Sequence, residues 1–158
     1  MSAGPIVASG VGILLLVVTA YVLIGGTLTT TEVLVEAQSS LAAQQEARMR
    51  TAIAIQETAL NNQTLYVELE NTGSEPIVDI SSIDVYLHYE ETGPVYIPPG
   101  AGPSRWSRVT IEPDGVHPGQ WDAGETLTLS VTFEEDATPI CVQVVTPNGV
   151  SASAYITR

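Results

Sequence analysis

The sequence predicts an all-β domain, an immunoglobulin-like β-sandwich, preceded by one long N-terminal transmembrane helix. Three observations lead there. No charged residue occurs before Glu32, and much of that opening stretch is aliphatic. Beyond Thr51, short runs alternate apolar and polar residues with a period of two. Clusters of Pro, Gly and Asn separate those runs, as turns separate strands.

Residues 1–26 form the anchor. Its apolar surface is carried by Val11, Ile13, Leu14, Leu15, Leu16, Val17, Val18, Tyr21, Val22, Leu23 and Ile24. About 20 such residues span a hydrocarbon core as a helix, and lipid obliges the backbone to satisfy its own hydrogen bonds. A cleaved signal peptide is the competing reading. It needs a basic segment before the apolar run, and none stands there; the run also exceeds the usual length of such a core. Retention as a single span is the expectation. The nearest basic residue is Arg48, so charge asymmetry does not set the orientation. A short N-terminal tail inside and the turn-rich domain outside is the expected arrangement.

Residues 27–51 read as a helical stalk. The stretch from Val33 to Arg50 is rich in Ala, Gln, Glu, Leu and Arg, all good helix formers. Leu34, Ala37, Leu41 and Arg48 recur at helical spacing, but the apolar side is thin. Such a helix is marginal alone in water. It is either a continuation of the membrane helix that lifts the domain off the bilayer, or a surface that packs against neighbouring copies.

Residues 52–158 form the extracytoplasmic domain. Leu65, Val67 and Leu69 alternate with polar neighbours, as do Ile83, Val85, Leu87 and Tyr89. Further runs begin at Ala52, Trp106, Leu127, Ile140 and Val150, giving seven or so strands. Asn71-Thr72-Gly73, Pro113-Asp114-Gly115 and Pro147-Asn148-Gly149 mark turns between them. Val67, Val85, Leu129, Val131, Val142 and Val144 are expected in the core. The segment from Gly93 to Pro103 reads as the longest irregular loop. Its Gly93, Pro94, Tyr96, Pro98 and Pro99 are the candidate partner contacts, or simply a long connection.

Composition narrows function. The 158 residues carry five Arg, no Lys and 18 Asp or Glu, a net charge of −13. Nucleic acid and anionic lipid headgroups are poor partners for that surface. Acidity suits a salty exterior or a basic partner, and equally serves solubility. Cys141 is the sole cysteine, so the domain has no internal disulfide; in Ile140-Cys141-Val142 it reads as a small core residue. His88 and His117 lack the spacing of a zinc site. The acidic clusters at Glu90-Glu91 and Glu134-Glu135-Asp136 lack calcium-loop spacing and read as solvated turns. No nucleophile elbow, phosphate loop or dinucleotide fingerprint is present. A non-enzyme without cofactor or metal is the expectation. Asn62-Gln63-Thr64 is a glycosylation sequon in a turn between strands.

Three passages carry a family resemblance. They are Leu65-Tyr66-Val67-Glu68-Leu69-Glu70-Asn71-Thr72-Gly73 leading to Ile83-Asp84-Val85-Tyr86, then Asp122-Ala123-Gly124-Glu125-Thr126-Leu127, then Val145-Thr146-Pro147-Asn148-Gly149-Val150. In this order, behind an apolar helix, they make the chain resemble the archaellum accessory proteins F and G, relatives of archaellins in the type IV pilin-like superfamily. The resemblance implies an immunoglobulin-like sandwich outside the cytoplasmic membrane of an archaeon. It further implies a stator role that joins the motor to the surface layer, with the surface-layer protein and other archaellum components as partners in a homo- or hetero-oligomer. Filament subunits of this superfamily carry a basic residue at a processing site before the apolar helix, and this chain has none. A filament subunit and a cell-surface adhesion module remain the alternatives.

Overall fold

The computed structural model describes residues 3–134 and 138–157, and of residues 26–33 the backbone alone. Two compact units divide the chain, Met1–Ala43 and Gln44–Arg158.

A helix, α1, runs from Gly4 to Arg50 without interruption. Within it, Gly4–Gly25 is long and apolar enough to cross a membrane. Its Leu, Ile and Val side chains face outward all round, with no protein surface covering them. Two of its hydroxyl-bearing side chains, Ser9 and Thr19, bond back to the helix itself. Ser9 donates to the Ile6 carbonyl at 2.9 Å, and Thr19 donates to the carbonyls of Leu15 and Leu16 at 2.9 and 3.0 Å. Each hydroxyl thus spends its proton on the turn before it, which is how Ser and Thr are tolerated in apolar helices.

The second unit is built from eight strands: β1 (Ile53–Asn61), β2 (Thr64–Asn71), β3 (Asp84–Tyr89), β4 (Gly93–Ile97), β5 (Trp106–Glu112), β6 (Thr126–Thr132), β7 (Cys141–Val145) and β8 (Ser151–Tyr155). They form two antiparallel four-stranded sheets, ordered β1-β2-β6-β5 and β4-β3-β7-β8. The two sheets are consistent with a β-sandwich; lettered A to G, with β4 as an added strand beside C, their order reads A-B-E-D and C′-C-F-G. The cross-sheet disulfide of antibody domains is missing, since Cys141 has no second cysteine to meet.

Alternation builds the core. Leu65, Val67 and Leu69 of β2 face inward beside Leu127, Leu129 and Val131 of β6, and Val85 and Leu87 of β3 beside Val142 and Val144 of β7. All are fully buried, including the six residues expected there from sequence. Burying one such side chain stabilises by ~1.5–3 kcal/mol. With few aromatics available, Trp106 and Trp121 supply the bulk at the periphery of this aliphatic layer.

Three expectations need correction. Gly93–Ile97 is a strand rather than loop, paired with β3 from Gly93↔Tyr89 to Ile97↔Val85. Pro94 is tolerated because β4 is an edge strand and its missing N–H faces no neighbour. Cys141 is only half-buried: in β7 the inward positions are Val142 and Val144, so Cys141 and Gln143 face out. Tyr89 is likewise half-buried rather than within the core. Of the second acidic cluster, Glu135 and Asp136 lie outside the described residues.

Candidate functional site

The three resemblance passages are far apart in sequence and two of them meet in space. Asn71 at the end of β2 is completely buried. Its N–H donates to the Glu125 carbonyl at 3.0 Å, and its carbonyl accepts from Gly124 at 2.8 Å. Its side-chain amide donates to the carbonyls of Glu75 and Trp121, and its Oδ1 accepts from Gly73. One Asn thereby closes its own turn and fastens the connection before β6.

That connection is held by its own carboxylates. Glu125, buried, accepts from the N–H of Gly115 and of Asp122 at 3.2 and 3.0 Å. Asp122 accepts from the His117 N–H at 2.9 Å, and its Oδ1 lies 3.0 Å from His117 Nδ1. The Trp121 indole donates to the Glu125 carbonyl at 2.8 Å, and Trp121 exchanges both backbone hydrogen bonds with Ile77. Two buried carboxylates in an acidic chain would be costly unpaired; here backbone N–H groups surround them. His117 is therefore a clasp on a turn, more than the free surface histidine expected.

The same end of the sandwich grips the last turn of α1. The Arg50 carbonyl accepts from Ser74 and Glu75 at 2.9 and 3.3 Å, and the Ala52 carbonyl accepts from Gly73 at 3.0 Å. Arg50 Nε lies 3.6 Å from Glu75 Oε2. Asn148, in the third passage, donates to the Thr51 hydroxyl at 2.6 Å, and Arg48 donates to the Gly149 carbonyl at 3.4 Å. Gly73 has no substitute there: a Cβ would stand 2.4 Å from both Ala52 N and Arg50 O. All three passages thus serve this joint or brace it. Close by, the hydroxyls of Ser81 and then Ser82 hold the Asp79 carboxyl below its ordinary range.

The opposite end carries the residues singled out as contacts. Asn62 sits at the tip of the β1–β2 hairpin, exposed, with φ of 53°. Asn adopts this left-handed conformation more readily than most residues. Gly93 and Pro94 begin β4 at the same end, across from Tyr89 and His88. Pro98 and Pro99 open the crossing from β4 to β5; the Pro98 carbonyl accepts from the Trp106 N–H at 3.1 Å, and Pro99 bridges to Trp106. Between this crossing and Phe133 lies an open cleft of ≈ 470 Å³, lined also by Tyr89, Tyr96, Arg105 and Glu134. Burial, then the Glu134 carboxylate, pushes the Tyr89 phenol above its ordinary range. Tyr96 faces outward with its ring centroid 5.5 Å from that of Tyr86, the planes tilted by 52°. Its phenol is pushed up by burial and then by Asp84. The structure thus gathers Asn62, Gly93 and Pro94 at one end and leaves Tyr96 on a sheet face.

Among the described residues, no group of three His, Cys, Asp or Glu side chains converges to hold a metal ion.

No protein-family model matches the chain, and no curated protein matches it in sequence. Solved structures do. The archaellum periplasmic stator protein FlaG from Sulfolobus acidocaldarius matches with a TM-score of 0.50 and 20% identity, over 66% of this chain and 97% of that one. A chain of the stator complex of FlaF and FlaG from the same organism matches with a TM-score of 0.52 and 18% identity, over 65% and 85%. The archaeal flagellum of Methanospirillum hungatei strain JF1 matches with a TM-score of 0.60 and 13% identity, over 98% and 92%. The fold of this chain is therefore one shared with archaellum stator proteins and with the archaeal flagellum itself.

Proposed function

We propose that this chain is a membrane-anchored structural component of an archaellum, acting in a stator that holds the rotary machinery to the surface layer. The observation that carries the reading is the likeness of its sandwich to FlaG and to the FlaF–FlaG complex, in a chain that also bears the apolar Gly4–Gly25 helix. Residues 1–26 are the span in the cytoplasmic membrane, with Leu15, Leu16, Val17 and Val18 at its centre. Residues 27–51 are the stalk, and residues 52–158 the domain outside. Contact, not conversion, is the task. The end bearing Asn62, Gly93 and Pro94, with the Pro98–Pro99 crossing and its cleft, meets the surface-layer protein, and Asn62 carries a glycan there. Other archaellum components are the remaining partners.

The test is capture of envelope proteins by the full chain in host membranes. Recovery of the surface-layer protein, lost on replacing Pro98 and Pro99 by Ser, supports the reading. Undiminished motility after deletion of the gene, with no envelope partner captured, refutes it.

A second reading has one observation in its favour. The flagellum match covers 98% of this chain, whereas the stator matches cover about two thirds. On that reading the chain is a filament subunit. Purified archaella separate the two: a stator component is absent from the filament, and a subunit is its bulk.

A further inference from the structure

The sandwich is closed along one seam and open along the other. At the first seam β1 meets β8, and the Thr58 hydroxyl donates to the Tyr155 carbonyl at 3.3 Å. At the second, β4 and β5 are the outer strands of their sheets, linked by the 98–105 crossing. The cleft of ≈ 470 Å³ lies here, beside β4. Val95 marks the opening. Its strand partner Leu87 is fully buried, so Val95 points into the sandwich, yet it is 39% exposed. Neither flanking edge suits an added strand. Pro94 interrupts β4, and the register shift between Arg108 and Thr110 distorts β5. The cleft is built for inserted side chains rather than for extension of a sheet.

Arg105 brings charge to this apolar seam. Its backbone is pinned: its carbonyl accepts from the Thr132 N–H at 2.8 Å, and its own N–H donates to the Thr132 hydroxyl at 3.2 Å. Ser104 before it has φ of 53°, a region that few residues other than glycine enter, and strain of this kind gathers at binding sites. The guanidinium, by contrast, is unspent. Among the described residues, Arg48 and Arg108 donate to carbonyls and Arg50 pairs with Glu75, whereas Arg105 reaches no carboxylate or carbonyl. In a chain of net charge −13 with 18 Asp or Glu, an arginine left unpaired at the rim of an apolar cleft is the exception.

We propose that this cleft takes a short peptide segment of a partner protein bearing a single carboxylate, which pairs with Arg105 while a neighbouring aliphatic side chain fills the space against Val95, Ile97 and Phe133. Charge complementarity selects that occupant, since a carboxylate matches the guanidinium fork with two parallel hydrogen bonds. Glu134 also lines the cleft without pairing with Arg105. It repels a second carboxylate, so the acidic surroundings act as a filter against more heavily charged segments. The proposal deepens the reading that this end of the sandwich meets an envelope protein, and rests on it only for where the partner is found.

The test uses the detergent-solubilised full chain and terminally blocked Gly-Val-Asp-Leu-Gly, with its Asn and Asp-Asp counterparts, followed by ligand-observed NMR. The single-Asp peptide should bind at least about tenfold more tightly than the Asn peptide, as a charged hydrogen bond is gained. It should also bind more tightly than the Asp-Asp peptide. Arg105→Gln should erase the preference for Asp and Arg105→Lys keep part of it. Glu134→Gln should strengthen binding, and Arg108→Gln should leave it unchanged. Equal binding of the Asp and Asn peptides, binding of neither, or a preference that survives Arg105→Gln each overturns the proposal. Binding of glucuronate through Arg105 without binding of any peptide gives the cleft to an acidic sugar and overturns it too. If the preference for Asp holds and the chain captures no envelope protein in its host, the stator reading fails and the cleft stands.

Discussion

Replacing Gly73 by Ala should unfasten the helix from the sandwich while sparing the core. Gly73 does not have the positive φ that would strain any side chain, so the effect is one of space alone. The added methyl meets Ala52 N and Arg50 O at 2.4 Å and Thr51 C at 3.0 Å, all backbone atoms that cannot swing aside. Relief requires the 73–75 segment to withdraw. Withdrawal breaks the bonds from Gly73 to Ala52 and from Ser74 and Glu75 to Arg50. At ~1 kcal/mol net for each hydrogen bond, two or three such losses cost roughly 2–3 kcal/mol. Retaining them instead forces overpacking, which costs ~1–3 kcal/mol. For a domain near 100 residues, such a loss lowers Tm by roughly 8–12 °C. Thermal unfolding of the detergent-solubilised chain measures the total, and amide hydrogen exchange locates it. Exchange should rise at Ser74 and Glu75 and stay slow in β2 and β6. Gly12→Ala is the control, since a methyl there meets nothing within 4 Å. Unchanged Tm with unchanged exchange at Ser74 and Glu75 would refute the joint.

Further predictions extend the same physics. A fragment starting at Gln44 should unfold at a higher temperature than one starting at Ala52, because only the longer one keeps Arg48, Arg50 and Thr51 against the Gly149, Glu75 and Asn148 partners; equal Tm values would contradict this. Leu15→Arg with Val18→Arg should release the chain from carbonate-washed membranes, since each central Arg costs ~3 kcal/mol on insertion scales. Trp121→Phe should destabilise the domain by about 1 kcal/mol or more through the lost indole bond to the Glu125 carbonyl, read by denaturant titration. Asn62→Gln should increase electrophoretic mobility if the hairpin tip is glycosylated in its host; identical migration would show that it is not.

Much of this architecture could be read before any coordinates. The long apolar N-terminal helix announces itself because length and composition alone decide it. Strands β2, β3, β6 and β7 declare themselves because one side of each is buried and the other is not. Strand β4 hides for the opposite reason: it is a short edge strand with Val95 and Tyr96 exposed, so its sequence shows no inward stripe, and its Gly-Pro start imitates a turn. Cys141 misleads because Ile140-Cys141-Val142 is apolar throughout, and only the register with His88 and Tyr155 assigns it to the outer face. The Asn71, Trp121 and Glu125 assembly depends on contacts across about fifty residues, which no local pattern encodes. Its parts were visible only as the short motifs Asn71-Thr72-Gly73 and Asp122-Ala123-Gly124-Glu125. Geometry brings them together: Asn71 and Glu125 brace one joint.

Swimming by the host tests the central claim most directly. A strain lacking this chain should fail to swim while still making archaella. Motility should return with the full chain, and not with a version in which Leu15 and Val18 are Arg. Normal swimming of the deletion strain, or rescue by the unanchored version, would contradict a membrane-held stator component.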